Sequence, residues 1–286
     1  MKIVSPILLG LSLAAAGSTF TAAQTTQQMP VPKVIQVFRE YMKPGKGGAL
    51  HDASESHFVQ AMMNAKWPTH YIALNSLSGK SRCLYMTGYD SFDAWQKDTD
   101  AMDKNPSLSA AVGMASMTDG DLLESTDAGV LSYDEDLSYR PNGDLSFVRY
   151  FEITSFRVKP GHRKELHDLV TMVMDAHKKA GTSANWATFE LAYGGDGDTY
   201  IVISADKSMA DIDKGFAEDK KFTDAMGEEG MKKFGELVAS AIDRSDSELF
   251  EINPRQSYPR DEWVKANPDF WSPKHAGMSM GASGGQ

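Results

Sequence analysis

The most chemically capable side chains of this sequence sit in short alternating stretches and near the starts of helical ones. Glu152 lies in Phe151-Glu-Ile-Thr-Ser-Phe156, and Glu190 in Trp186-Ala-Thr-Phe-Glu-Leu-Ala-Tyr193. A glutamate held in such a strand away from water has its pKa raised and can act as a general base near neutral pH. These two are the candidate catalytic groups. His51-Asp52 and His167-Asp168 offer imidazole beside carboxylate, but residues at i and i+1 do not share a helix face. They read as solvated helix starts, and no metal is expected there. His177 interrupts an apolar helical stripe and reads as a core histidine with a hydrogen-bond partner. The single Cys83 reads as an inert buried thiol, and no intrachain disulfide is available. Gly194-Gly-Asp-Gly-Asp198 has the composition of a calcium loop without its twelve-residue spacing or terminal Glu, so a hairpin turn is expected. The sequence contains no G-x-S-x-G, H-E-x-x-H, P-loop or dinucleotide fingerprint.

What must position these residues is a repeat. Lys43-Pro-Gly-Lys-Gly-Gly-Ala-Leu-His-Asp52 returns 116 residues later as Lys159-Pro-Gly-His-Arg-Lys-Glu-Leu-His-Asp168. Each copy follows an alternating apolar run and precedes a helical pattern, so the chain is a tandem of two similar units. Val34–Met42 reads as a strand, about 47–65 as a helix, and 67–77 with 82–89 as a hairpin across Ser78-Gly79-Lys80. A helical region follows from Ser91 through Met117, then a strand from Val130. The second copy repeats the order. Leu166, Leu169, Val170, Val173 and Met174 form one stripe of its first helix. The fold class is therefore α+β, with two ferredoxin-like β-α-β-β-α-β units at 33–139 and 146–252. A linker at 140–145 joins them, and an aromatic, proline-rich extension at 253–286 is expected to pack on the surface or mouth of the fold, its last ten residues disordered.

Met1 to Ala23 has a positive start, an apolar core at Ile7–Ala16 and a Thr-Ala-Ala cleavage pattern. That is the layout of a signal peptide, so a secreted or periplasmic protein is expected, with a short lead at 24–32. No stretch is long enough for a membrane span. The net charge of −10, with basic residues scattered among acids, argues against a nucleic-acid partner.

Phe151-Glu-Ile-Thr-Ser-Phe-Arg-Val-Lys-Pro-Gly161 before a helix, and Tyr89-Asp-Ser-Phe-Asp-Ala-Trp95 after a strand, resemble the dimeric α+β barrel proteins. The NIPSNAP and antibiotic-biosynthesis-monooxygenase branches are the nearest in pattern. The likeness spans about 34–139 and 151–252. It implies that the two units close one barrel within a single chain and that ligands sit in its interior. Glu40, where the family has an aromatic, implies an altered pocket in the first copy. Some relatives bind haem through a helical histidine, which makes His177 the residue to test for that cofactor. Otherwise no cofactor is expected.

If Ile35, Val37, Phe151 and Ile153 face the helices, strand alternation turns their neighbours inward. Besides Glu152, the pocket candidates are then Gln36, Phe38, Glu40, Thr154 and Phe156. Cys83, Tyr85, Thr87 and Tyr89 face inward on the third strand, and Trp186, Thr188 and Glu190 on its neighbour in the second unit. The expected function is an exported small-molecule-binding barrel, with cofactor-independent monooxygenase-like chemistry within reach. The alternatives are a haem protein of the chlorite-dismutase or dye-peroxidase type and a non-catalytic envelope interaction module. A small-molecule ligand is the expected partner, and a homo-oligomer is compatible with the fold.

Overall fold

The computed structural model describes residues 29–272. The leader expected at 1–23 and the expected disorder at 277–286 lie outside the described residues. The first unit runs β1 (Val34–Met42), α1 (Ala49–Ala65), β2 (Tyr71–Ser76), β3 (Arg82–Tyr89), α2 (Phe92–Asp103), α3 (Pro106–Asp119) and β4 (Leu123–Tyr139). The second runs β5 (Tyr150–Val158), α4 (Arg163–Ala180), β6 (Trp186–Tyr193), β7 (Thr199–Asp206), α5 (Met209–Ala241) and β8 (Ile242–Ile252). Two short helices follow, α6 (Asp261–Ala266) and α7 (Pro268–Trp271). Local chemistry marks several boundaries. Ser91 caps α2 by accepting from the Ala94 amide, and Asn105 caps α3, whose first residue is Pro106. α5 is kinked at Gly227.

The strands form one closed barrel in the order β1-β3-β2-β8-β5-β7-β6-β4. Each unit contributes four neighbouring strands, and the seams are β2 with β8 and β4 with β6, both antiparallel. The expected fold class holds: the tandem makes an intrachain α+β barrel. The repeat extends to register, since Phe38 pairs with Tyr85 in the first unit and Thr154 with Val202 in the second.

The largest buried cluster takes Ile35 and Val37 from β1, Ile72 and Leu74 from β2, and Leu84 and Met86 from β3. Leu131, Phe151, Phe189, Ile203 and Phe250 add the remaining five strands. None of α1 to α5 contributes to it. Side chains drawn from every strand of a closed barrel, without the helices, fill its interior. This corrects the expected facing. Ile35, Val37, Phe151 and Ile153 point into the barrel, while Gln36, Phe38, Glu40, Glu152, Thr154 and Phe156 point out toward the helix layer or solvent. Cys83, Tyr85, Thr87, Tyr89, Trp186, Thr188 and Glu190 reverse in the same way, because alternation carries one choice through a whole strand. The physical reason is dehydration. A closed barrel offers its interior neither water nor free backbone groups, so that face takes the purely apolar set. The helix layer covers its face less completely and tolerates polar groups.

The C-terminal extension closes one end. Trp263 and Trp271 join the interior cluster. The Trp271 Nε1 donates to Ser146 O at 3.0 Å, and Arg149 lies over the Phe270 ring at 3.5 Å. Beside Trp263 remains a cavity of about 120 Å³, lined by interior residues together with 29–32, 141–143 and Leu145. Ligand pockets are usually of ~300 Å³ or more. The interior is a core, not the expected ligand chamber.

Both repeated turns place glycine in the left-handed region, with φ of +75° at Gly45 and +85° at Gly161. A Cβ at Gly161 would meet nothing within 4 Å, so a substitution there acts on the backbone alone. Gly161→Val is expected to lower unfolding free energy by ~1–2 kcal/mol, and Gly161→Asn by less, as read from urea denaturation. Equal stability of all three proteins would contradict the turn.

Candidate functional site

With the interior filled, the remaining space lies between the barrel's outer face and its helices, once in each unit. The two places correspond. Glu40 of β1 matches Phe156 of β5 through the 116-residue repeat, and Tyr85 matches Val202 through the strand registers. Asp119 stands four residues before β4, and Val238 four before β8.

In the first unit this place is polar and dry. Along α1, His51, Ser54 and Glu55 are buried at i, i+3 and i+4, on the face that continues through Ala61. Glu40 of β1 and Asp119 at the end of α3 meet them from two sides, all four ionisable groups being buried. The His51 Nε2 lies 3.0 Å from Glu40 Oε2, 3.5 Å from Asp119 Oδ1 and 3.9 Å from Glu55 Oε1. Gln256, brought in by the C-terminal extension, lies with its Nε2 3.1 Å from His51 Nδ1 and donates to Asp52 Oδ1 at 2.9 Å. Its Oε1 accepts from Cys83 Sγ at 3.1 Å. Burial raises the Glu40 carboxyl, with the bond to His51 working against it. Burial, then the charges of Glu40 and Asp119, push Glu55 up to about 9. The expectation of a solvated helix start thus holds for exposed His167 and fails for His51. These four residues are also the cluster among the described residues with the donors and spacing to hold a metal ion.

In the second unit the same place is an apolar cavity of about 350 Å³. Its walls are Phe156, Val202, Tyr200 and Trp186 from the strands, Leu166, Leu169, Val170 and Val173 from α4, and Phe222, Phe234 and Val238 from α5. Trp186 and Phe222 are shared with a polar cleft of about 310 Å³ that also contains Glu152, His177, Ser183, Asp206 and Glu218. Partial burial, then repulsion from Glu152 and Asp211, raises Asp206 to about 6. Glu218 accepts from the backbone and hydroxyl of Ser183, which lowers it to about 2.

The candidate residues divide accordingly. Phe156 and Trp186 line the cavity, and Glu40 and Tyr85 belong to the buried polar place of the first unit. Glu152 is exposed at the cleft, where partial desolvation raises its carboxyl. Glu190 instead pairs with Arg163 at 2.5 Å, away from the cleft. Thr154 bonds Ser247 at 2.8 Å, and Tyr89 stacks on Trp95 and donates to Asp98. Gln36 is half-buried and Phe38 exposed, outside both places. Sequence reasoning missed Glu55 and Asp119. The spacing of His51 and Glu55, i and i+4 at the head of an apolar stripe, was the available signal for the first. Asp119 had none.

Haem does not fit these residues. The cavity wall includes no histidine, cysteine or methionine to serve as an axial ligand, and burial raises the Tyr200 phenol, which holds it in the neutral, weakly ligating form. His177 lies in the cleft with Nδ1 2.8 Å from Thr182 Oγ1, and its neighbours there, Glu152, Asp206 and Glu218, would oppose the propionates of a haem.

No protein-family model and no curated protein matches the sequence. Solved structures do. A candidate monooxygenase of Fusobacterium nucleatum superposes with a TM-score of 0.50 at 13% identity, covering 78% of this chain and 94% of that one. A candidate monooxygenase of Lactobacillus acidophilus gives 0.47 at 7%, covering 78% and 94%. A mutant chlorite dismutase of Candidatus Nitrospira defluvii gives 0.47 at 10%, covering 82% and 96%. At such identities the likeness is one of fold alone, an α+β architecture with a closed eight-stranded barrel.

The buried cluster sets a pH dependence. Glu55 titrates near 4.5 when unfolded and near 9 when folded, so the folded state holds the extra proton between those values. Stability contributed by that proton is present below about 4.5 and is lost as pH rises toward 9. Glu218 acts in the opposite sense, but only below its ordinary value of 4.5. In chelator, the wild-type urea midpoint is expected to fall from pH 5 to pH 9, and Glu55→Gln to flatten that fall. A wild-type midpoint constant over this range would contradict the assignment.

Proposed function

We propose that this protein is an exported small-molecule-binding barrel whose ligand has an apolar, ring-bearing body seated between the sheet and α4 and α5 of the second unit. The observation that carries the reading is the cavity of about 350 Å³ walled by Phe156, Trp186, Tyr200, Phe222 and aliphatic residues. Its size falls within the ~300–1,000 Å³ of ordinary ligand sites. The adjoining cleft gives the ligand a polar outlet, since Trp186 and Phe222 wall both spaces. The apolar leader pattern at 1–23 supports export.

Monooxygenase-like chemistry of the cofactor-independent kind is the reaction class such a site admits. An electron-rich substrate itself reduces dioxygen, and the protein excludes water, orients the ring and accepts a proton. Asp206, at about 6, and Glu152 are the carboxylates placed at the cleft for that proton. Glu190 is not, being held by Arg163.

A neutral naphthylamine probe tests the binding reading. Its fluorescence is expected to rise on titration into the protein, with quenching of tryptophan emission. Val173→Trp, which fills the cavity from α4, is expected to weaken that binding at least ~10-fold, as losing the burial of one small apolar group already costs about that factor. The melting curve should stay in place. Undiminished binding to the variant would move the ligand elsewhere, and no binding to either protein would remove the reading.

A further inference from the structure

We propose that Glu40, His51, Glu55 and Asp119 form a binding site for a first-row divalent cation of the Mn²⁺, Fe²⁺ or Zn²⁺ kind, enclosed between β1, α1 and α3. The ligand atoms these residues offer all lie within 4.8 Å of one another. Two ligands each ~2.1 Å from an ion stand at most ~4.2 Å apart, so closure asks shifts of only about half an ångström. One imidazole and three carboxylates suit a borderline cation. The imidazole nitrogen disfavours Ca²⁺, which takes oxygen ligands, and the set includes no sulfur for a soft ion.

Two further observations point to an occupant. Glu55 Oε1 and Asp119 Oδ1 make no hydrogen bond of ordinary geometry, although their residues are only 3% and 1% exposed, and the buried Tyr85 hydroxyl beside Glu55 makes none either. The two carboxylate oxygens are aimed at the same ring atom, His51 Nε2, at 3.9 and 3.5 Å. Buried carboxylate oxygens without partners are costly, and an ion among them satisfies both at once. The second unit supplies the comparison. Phe156 and Val238 stand where Glu40 and Asp119 stand here, and α4 faces the space with Leu166, Leu169, Val170 and Val173, so this fold encloses the same space without any carboxylate. Helix packing does not require the acids.

The test uses the full mature chain, stripped with EDTA and titrated calorimetrically with MnCl₂ and ZnCl₂. One ion per chain at micromolar affinity or tighter is expected, with a higher melting temperature on loading. Asp119→Asn and Glu55→Gln, which keep side-chain volume, are each expected to weaken binding at least ~10-fold. If one variant fails to fold, the other carries the test. A stripped wild type that binds neither ion overturns the proposal, with Glu55→Gln then melting above wild type as a proton-sharing cluster would require. Binding that survives both variants unchanged overturns it equally, since the ion would then sit elsewhere.

Discussion

The structure depends on the pairing of two seams. A four-stranded ferredoxin-like sheet has two open edges, and open edges present unsatisfied backbone donors and acceptors. Here β2 meets β8 and β4 meets β6, so the edges of one unit satisfy those of the other. Tandem duplication makes that closure intramolecular. The second unit is always at hand, and the barrel forms without a concentration-dependent step.

Closure decides where chemistry can occur. Once the strands form a ring, the interior is sealed by Trp263 and Trp271 at one end and filled by Ile, Leu, Val and Phe from every strand. A space of about 120 Å³ stays open near its mouth. Polar and ligand-sized features are displaced to the outer face, where helices span the sheet without touching it everywhere. Glu40 and Phe156 illustrate this. Both alternate outward, and each meets its own helix pair.

The two units then put one shape to different uses. The α4 stripe of Leu166, Leu169, Val170 and Val173 leaves an apolar hollow, whereas the α1 stripe begins His51, Ser54, Glu55 and gathers charge. The extension beyond β8 strengthens the difference. It crosses to the first unit, where Tyr258 exchanges backbone bonds with Tyr71 at 3.0 Å and Gln256 reaches His51. The C-terminal segment of the chain thus completes the environment of a cluster whose earliest member is Glu40, in the first strand.

Closure of the tandem into one barrel was an implication of the family resemblance, whereas the sequence alone determined the repeat, the element order and the glycine turns at Gly45 and Gly161. These are written in local periodicity and in residue types with fixed backbone preferences. It also named Glu40, Tyr85, Phe156 and Trp186 as pocket candidates, but placed them inside the barrel. Tertiary structure decided on which side of the sheet those residues lie. Alternation along a strand defines two faces, and nothing local says which one closure makes the dry interior, so Ile35 and Glu40 exchanged places against expectation. Tertiary structure alone also joined Asp119 and Gln256 to His51, since positions 68 and 205 residues away carry no local signal of contact. Periodicity records which residues share a face, and only packing settles what that face meets.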